Sequence, residues 1–455
     1  MQSTSGGDDQ LARLIDNASF GPIQWQVAGL CFLAAMVEGF DVQAVAFIAP
    51  TVSAKWHVLP SAFGIVFASG LVGLCIGSAV IGPISDRYGR RNPIIAATAA
   101  IGLCSILTAT SSDIPQLVGW RFLTGLGLGS LLPNVFALTA EYVPERIRAT
   151  TVTAMFCGFP VGGVIGGAAC AQAIPVHGWE IVFLVGGVFP LILAPILYWK
   201  LPESLSHLIM SGAPWQRIHP ILENMDPGRK FSRDLQVLGR TDGPKNRGAV
   251  SHLFSREMIG MTILLWILFF ATLFTLYFLV NWLPIILEGA GVSKGQALFG
   301  TILFNFGGII GALIMARLSD GWGAVAVLLP GYIAAAVSVV MLGLFAQNAS
   351  SALILTTVAG FFVLGCNFVI AAWASGLYPT SLRATGVGWS LSVGRIGSIV
   401  GPLLGSVMIG LRWGSSEVLA IGAIPSAISA LAILIFRRST RAYDRNRRVP
   451  PGGGT

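Results

Sequence analysis

Glu38 and Asp41 stand three residues apart within 23–46, a stretch that carries no other charge. An ionisable side chain in hydrocarbon costs about 2.5–3.5 kcal/mol or more, so each one needs a reason. At that spacing both carboxylates lie on one helical face. Two acids so close cannot both ionise cheaply in a low-dielectric site, and one is expected to hold a proton near neutral pH. Gly39 and Gln43 add flexibility and polarity beside them. Arg121, within 115–140, is the expected counter-charge: segment one runs outward, segment four inward, and the three groups fall at similar depth. Two acids against one base point to a proton- or substrate-linked site. A static ion pair joining the two segments is the alternative.

Arg395 lies near the middle of another apolar stretch, 385–410, with no acid at equal depth in that half of the chain. A membrane-buried guanidinium wants an anion, and its fork matches a carboxylate. It is the leading candidate to bind a substrate carboxylate; backbone carbonyls, or an acid from the other half, are the alternatives. Asp41, Gln43, Tyr277, Asn281, Trp282, Asn305, Trp389 and Ser392 could complete a pocket for a flat anionic ring, although any one aromatic here would serve equally in packing. At the opposite face, Glu141 ends segment four, where the helix dipole disfavours a carboxylate unless a cation is near. Asp86, Arg87, Arg90, Arg91 and Arg148 share that face. They read as an inner gate held by ion pairs, or simply as topology signals.

Enzyme chemistry finds no support. There is no Walker loop, HExxH or GxSxG motif, and the five His lie in loops or near the ends of apolar segments. The six Cys all sit inside apolar segments without metal-ligand spacing. No cofactor or metal is expected. With no nucleotide-binding loop, an ion gradient is the expected energy source.

These residues are carried by an unusually apolar chain: of 455 residues, 54% are hydrophobic and 11% charged, and mean hydropathy is +0.76. Twelve stretches are long enough to cross about 30 Å of hydrocarbon. They lie near 23–46, 61–83, 93–110, 115–140, 150–172, 179–200, 259–285, 297–316, 324–346, 352–377, 385–410 and 416–436. The first follows a polar lead, 1–22, with no cleavable signal pattern, and is expected to stay in the protein. With the N-terminus cytoplasmic, all but five of the 28 Lys and Arg fall on the cytoplasmic side; the five are Lys55, Arg121, Lys294, Arg395 and Arg412. This is the positive-inside pattern. It accounts for the net charge of +8 without nucleic acid, through basic loops facing anionic lipid.

The chain is also duplicated. Residues 82–91, GPISDRYGRR, recur 234 positions later as ARLSDGWGAV. Gly73, Gly77, Asp86 and Gly89 map onto Gly307, Gly311, Asp320 and Gly323; at offset 235, Gly162 and Gly166 map onto Gly397 and Gly401. Parallel repeats of apolar segments characterise secondary transporters. The expected fold is an all-α membrane protein of twelve transmembrane helices in two parallel-repeat six-helix bundles, 23–200 and 258–436. A cytoplasmic linker with a short surface helix, 201–257, joins them, and a disordered basic tail, 437–455, follows.

GPISDRYGRR resembles the signature loop of the major facilitator superfamily. More narrowly, the chain resembles its aromatic acid:proton symporters. The stretches that carry the likeness are EGFDVQAVAFIAP (38–50), RFLTGLGLGSLLPNVFALTAEYVPERIRA (121–149), LPES (201–204), NWLP (281–284) and RATGVGWSLSVGRIGSIVGP (383–402). The resemblance implies functional roles for Glu38, Asp41, Arg121, Glu141 and Arg395. It also implies import of a benzoate-, phenylpropionate- or phenoxyacetate-type acid, with protons as coupling ion and alternating access between the halves. The setting it implies is a bacterial inner membrane, with both termini cytoplasmic and the protein acting as a monomer. Two departures stand out: Glu38 where the family more often has Asp, in an EGxDxQA form closer to hydroxyphenylpropionate-type carriers, and a second signature loop without its Arg run. A sugar porter or drug/proton antiporter on the same fold is the other reading, and an aromatic-acid sensor a more remote one.

Overall fold

A computed structural model describes residues 20–225, 250–255, 258–378 and 380–447 of the chain; a few side chains within its helices, Asp86 among them, fall outside the description. The chain divides into two compact units, Met1–Lys245 and Asn246–Thr455. Among the described residues, twelve helical spans are long and apolar enough to cross a membrane, matching the expected count.

The first unit contains α1 (Pro22–Trp56), α2 (Phe63–Tyr88), α3 (Arg91–Thr108), α4 (Ile114–Tyr142), α5 (Glu145–Phe156), α6 (Gly158–His177) and α7 (Glu180–Lys200). Two short helices, α8 (Leu205–Met210) and α9 (Trp215–Met225), follow. The first helix outruns its expected end by ten residues: it continues through Pro50 and stops only where His57 turns left-handed and Pro60 follows. The fifth span is two helices, α5 and α6, meeting at Cys157. Pro160 explains the break, since its missing N–H and its ring both act against the carbonyl four residues earlier. Helix α9 is the surface helix expected in the linker, with Ile218, Leu222 and Met225 buried against its own unit. The rest of that linker, 226–257, lies outside the description apart from 250–255.

The second unit contains α10 (Ile259–Gly289), α11 (Lys294–Trp322), α12 (Ala324–Phe345), α13 (Ala349–Leu377), α14 (Thr380–Gly410) and α15 (Ser415–Arg447). The last helix corrects the expected disordered tail over 437–447, running eleven residues past 436, while 448–455 lie outside the described residues. Residues 437–447 hold Arg and Ala and no Gly or Pro, so nothing stops the helix there.

Both units pack their helices alike. In the first, α1 lies along α6, α2 along α4, and α3 between α4 and α7. In the second, α10 lies along α14, α11 along α13, and α12 against α13 and α15. Counted by span, the pairs one–five, two–four and three–six recur as seven–eleven, eight–ten and nine–twelve. The repeated glycines show why. A Cβ at Gly73 would strike the carbonyl of Phe122 on α4, and one at its counterpart Gly307 would strike that of Thr357 on α13. Likewise Gly162 touches the backbone of α1 at Met36, and Gly397 that of α10 at Phe270. Lipid offers little hydrophobic drive between helices, so backbone-to-backbone contact through small residues holds the bundles.

Candidate functional site

The acid pair of α1 is buried. Glu38 is 0% exposed and Asp41 2%. Helix α4 brings Arg121, 3% exposed, to Asp41. Its Nη1 donates to Asp41 Oδ1 at 2.9 Å and its Nη2 to Oδ2 at 2.8 Å. Nη2 also donates to the backbone carbonyl of Asp41 at 3.2 Å. Of the two acids, the bidentate partner is therefore Asp41. Close packing of α6 fixes this part of α1, since a side chain at Gly39, between the two acids, would collide with the carbonyl of Phe159. Gln43, fully buried, folds back to donate from Nε2 to Gly39 O at 3.0 Å.

In the second unit the positions equivalent to Glu38, Asp41 and Arg121 are Thr272, Thr275 and Thr356. All three are buried and engaged in neutral hydrogen bonds. Thr272 Oγ1 meets Tyr332 Oη at 2.6 Å, Ser426 Oγ meets Thr275 Oγ1 at 3.2 Å, and Thr356 bonds to Ala352 O at 2.6 Å. The repeat keeps the helix positions and drops the charges. What the second unit has instead is Arg395 on α14, whose Nη1 donates to Tyr277 Oη on α10 at 3.3 Å. Within that unit, among the described residues, no carboxylate pairs with Arg395.

The remaining pocket candidates separate. Asn281, 2% exposed, donates to the carbonyl of Tyr277 at 2.7 Å and so sits one turn from the Arg395 contact. Trp282 is fully buried and packs against α14, Nε1 donating to Pro402 O at 2.9 Å, with Gly405 making room for the ring. That bond ties α10 to α14. Trp389, 44% exposed, stacks on Trp266 with centroids 6.0 Å apart, while Ser392 is exposed and bonds to Gly388 O. Six residues of helix put Trp389 about 9 Å along the axis from Arg395. Asn305 is buried on α11, donating to Thr301 O at 2.9 Å.

At the far end of the first unit the gate candidates form an internal clamp. Arg90 Nε pairs with Glu141 Oε1 at 2.9 Å, and Ser204 Oγ donates to the other oxygen of Glu141. Arg91 donates from Nε to Leu201 O at 2.7 Å and also binds Tyr198 O, lying 5.1 Å over the Tyr198 ring. Arg87 is exposed over Tyr88, Arg148 donates to Val143 O at 3.3 Å, and the Asp86 side chain lies outside the described residues. Sequence reasoning missed the residue that organises this cluster. Glu203 Oε1 accepts from the backbone N–H groups of Arg90 (2.8 Å), Arg91 (3.1 Å) and Ser204 (2.9 Å), capping the start of α3. Tyr142 donates to its carbonyl at 2.6 Å. The available signal was an acid directly after a span, facing a GRR turn. Gly89 is required here twice: φ is +92°, and a Cβ would meet the Glu203 carboxylate. Its counterpart Gly323 keeps the positive φ of +85°, but Ala324 and Val325 stand where Arg90 and Arg91 do. The turn is duplicated without its chemistry.

Comparison with known proteins agrees with this architecture. The family model of the Major Facilitator Superfamily matches residues 31–304 and 265–452. The chain is 35% identical over 422 residues to the 4-hydroxybenzoate transporter PcaK of Pseudomonas aeruginosa, covering 92% of this chain and 94% of that one. It is 36% identical over 413 residues to the 3-(3-hydroxy-phenyl)propionate transporter of Escherichia coli, covering 90% and 94%. Among solved structures, a partially occluded inward open conformation of the xylose transporter XylE from E. coli has a TM-score of 0.73 at 16% identity. That match covers 91% of this chain and 99% of that one, and the likeness is one of fold.

Proposed function

Because the chain belongs to the major facilitator superfamily of multi-pass membrane transporters, we propose that it imports an aromatic monocarboxylate with protons by alternating access. The bidentate Asp41–Arg121 pair carries the coupling half of this reading. A proton arriving from outside neutralises Asp41, the charge-assisted bonds weaken, and Arg121 keeps its bond to the Asp41 backbone carbonyl. Glu38, one turn away, is the second proton acceptor. Arg395, paired with a neutral tyrosine in place of an acid, supports the anion half. Relatives that carry 4-hydroxybenzoate and 3-(3-hydroxy-phenyl)propionate, at 35% and 36% identity, support a ring bearing a carboxylate and do not separate one side-chain length from another.

Charge placement supports an orientation with both termini cytoplasmic, and the bacterial relatives support a bacterial inner membrane. The protein acts as a monomer, without cofactor. Arg90, Glu141 and Glu203 hold together the cytoplasmic end of the first unit, so the gate role read for Arg90 and Glu141 belongs to elements that move as one. One proton with one monoanion moves no net charge; a second proton would add about 2.3 kcal/mol per 100 mV of membrane potential.

Proteoliposome uptake tests the proposal. With the lumen alkaline, labelled 4-hydroxybenzoate or 3-phenylpropionate accumulates above the outside concentration, and a protonophore abolishes the excess. Folded protein that accumulates no aromatic acid under either condition sinks it.

A further inference from the structure

We propose that Tyr277 recognises the substrate carboxylate jointly with Arg395, forming one two-donor anion receptor built across α10 and α14. The inference rests on the reading of the substrate as an aromatic carboxylate and adds to it a specificity-determining residue. Tyr277 is 5% exposed and lies well inside a 31-residue helix, where a phenol hydroxyl needs a polar partner. One partner is a cation: Arg395 Nη1 donates to Tyr277 Oη at 3.3 Å. A hydroxyl whose oxygen accepts from a guanidinium is polarised and becomes a stronger donor through its own proton. Two donor atoms 3.3 Å apart can both reach one carboxylate at ordinary hydrogen-bond lengths.

The receptor is also pre-organised. Gly394 and Gly397 of α14 lie against the backbone of α10 at Phe269 and Phe270, and Trp282 Nε1 is bonded to Pro402 O. Asn281 Nδ2 holds the Tyr277 carbonyl at 2.7 Å. The two helices therefore set the spacing of Tyr277 and Arg395 before any ligand arrives. Repeat symmetry sharpens the point: Tyr277 occupies the position of Gln43, so the first unit offers an amide where the second offers a phenol beside a guanidinium.

The test is isothermal titration of 4-hydroxybenzoate into purified wild type, Tyr277→Phe, Arg395→Lys and the double variant, with uptake kinetics for each. Tyr277→Phe keeps the ring and its packing. It is expected to weaken binding about tenfold or more, as loss of a bond to a charged group does, and to raise KM while leaving Vmax and Tm in place. In the double variant Arg395→Lys should absorb most of the Tyr277→Phe effect, because the donors act as a unit. Wild-type affinity in Tyr277→Phe, or strict additivity with Arg395→Lys, overturns the shared receptor and leaves the transport reading intact. A fall in Tm and Vmax together, at unchanged Kd, assigns Tyr277 to packing and also overturns it. If neither single variant changes Kd, the placement of the carboxylate at Arg395 fails, and this inference with it.

Discussion

Arg121 grips Asp41 at three points: both carboxylate oxygens, at 2.9 and 2.8 Å, and the backbone carbonyl of the same residue, at 3.2 Å. The two side-chain contacts depend on the charge of Asp41, and the third does not. Neutralising Asp41 therefore loosens the pair without freeing the guanidinium from α1. An exposed ion pair would be worth little, but here both side chains are almost fully buried, so removing one partner strands a charge.

That geometry separates two substitutions. Asp41→Asn mimics the neutral state, and gradient-driven accumulation should vanish while counterflow exchange of substrate persists, with uptake no longer responding to an imposed pH gradient. Asp41→Ala leaves Arg121 without its carboxylate and should cost about 3–5 kcal/mol, seen as a lower Tm and poor recovery of folded protein. Accumulation by Asp41→Asn at the wild-type level would remove Asp41 from proton coupling.

Much of this architecture was legible because membrane helices must satisfy their own backbone and announce themselves as apolar runs. The duplication was legible because turn and contact glycines tolerate no replacement, so Gly73 and Gly307 still mark the same helix crossing. The proximity of Arg121 to the acid pair followed from helix direction and depth. Which acid it would hold did not, because Glu38 and Asp41 share a face and only the rotation of α1 against α4 decides. The bond from Trp282 to α14 was not legible, since an aromatic next to an Asn looks the same in a list of residues whether it faces a cavity or a neighbouring helix. Glu203 was missed because its role is to bind backbone N–H groups more than a hundred positions away, and such a bond leaves no pattern in composition.

Trp282→Phe tests the packing assignment. It removes the bond to Pro402 O and shrinks the ring against Gly405, and should cost about 0.5–1.5 kcal/mol for the bond alone. Tm should drop while KM for an aromatic acid stays at its wild-type value. A raised KM at unchanged Tm would place Trp282 in the substrate site.

The duplicated contacts predict duplicated lesions. Gly162→Leu pushes α6 off α1, and Gly397→Leu pushes α14 off α10, each through a collision with backbone that has no room to give. Overpacking of this kind costs about 1–3 kcal/mol or more. The two variants should lose thermal stability to a similar degree. Their functional effects should differ, because α1 carries Asp41 and α14 carries Arg395. Proton-driven accumulation should suffer first in Gly162→Leu and substrate affinity first in Gly397→Leu. Indistinguishable transport defects in two folded variants would argue against a division of labour between the units.

The clamp of Arg90, Glu141 and Glu203 offers the last distinction. Arg90, Glu141 and Glu203 join the α2–α3 turn, the end of α4 and the segment after α7, all within the first unit. A double-mutant cycle on Arg90→Ala and Glu141→Ala should give a coupling of about 0.5–3 kcal/mol, as for side chains in one network. Glu203→Ala should cost about 0.5–2 kcal/mol as loss of a helix cap, while Glu203→Gln, which keeps an acceptor for the N–H groups of Arg90 and Arg91, should cost less. Because the joined elements belong to one unit, stability should fall in each case while turnover per folded molecule holds. Turnover that falls in Arg90→Ala at unchanged Tm would mean the Arg90–Glu141 pair itself opens during each cycle, and a mobile gate would then replace the rigid clamp.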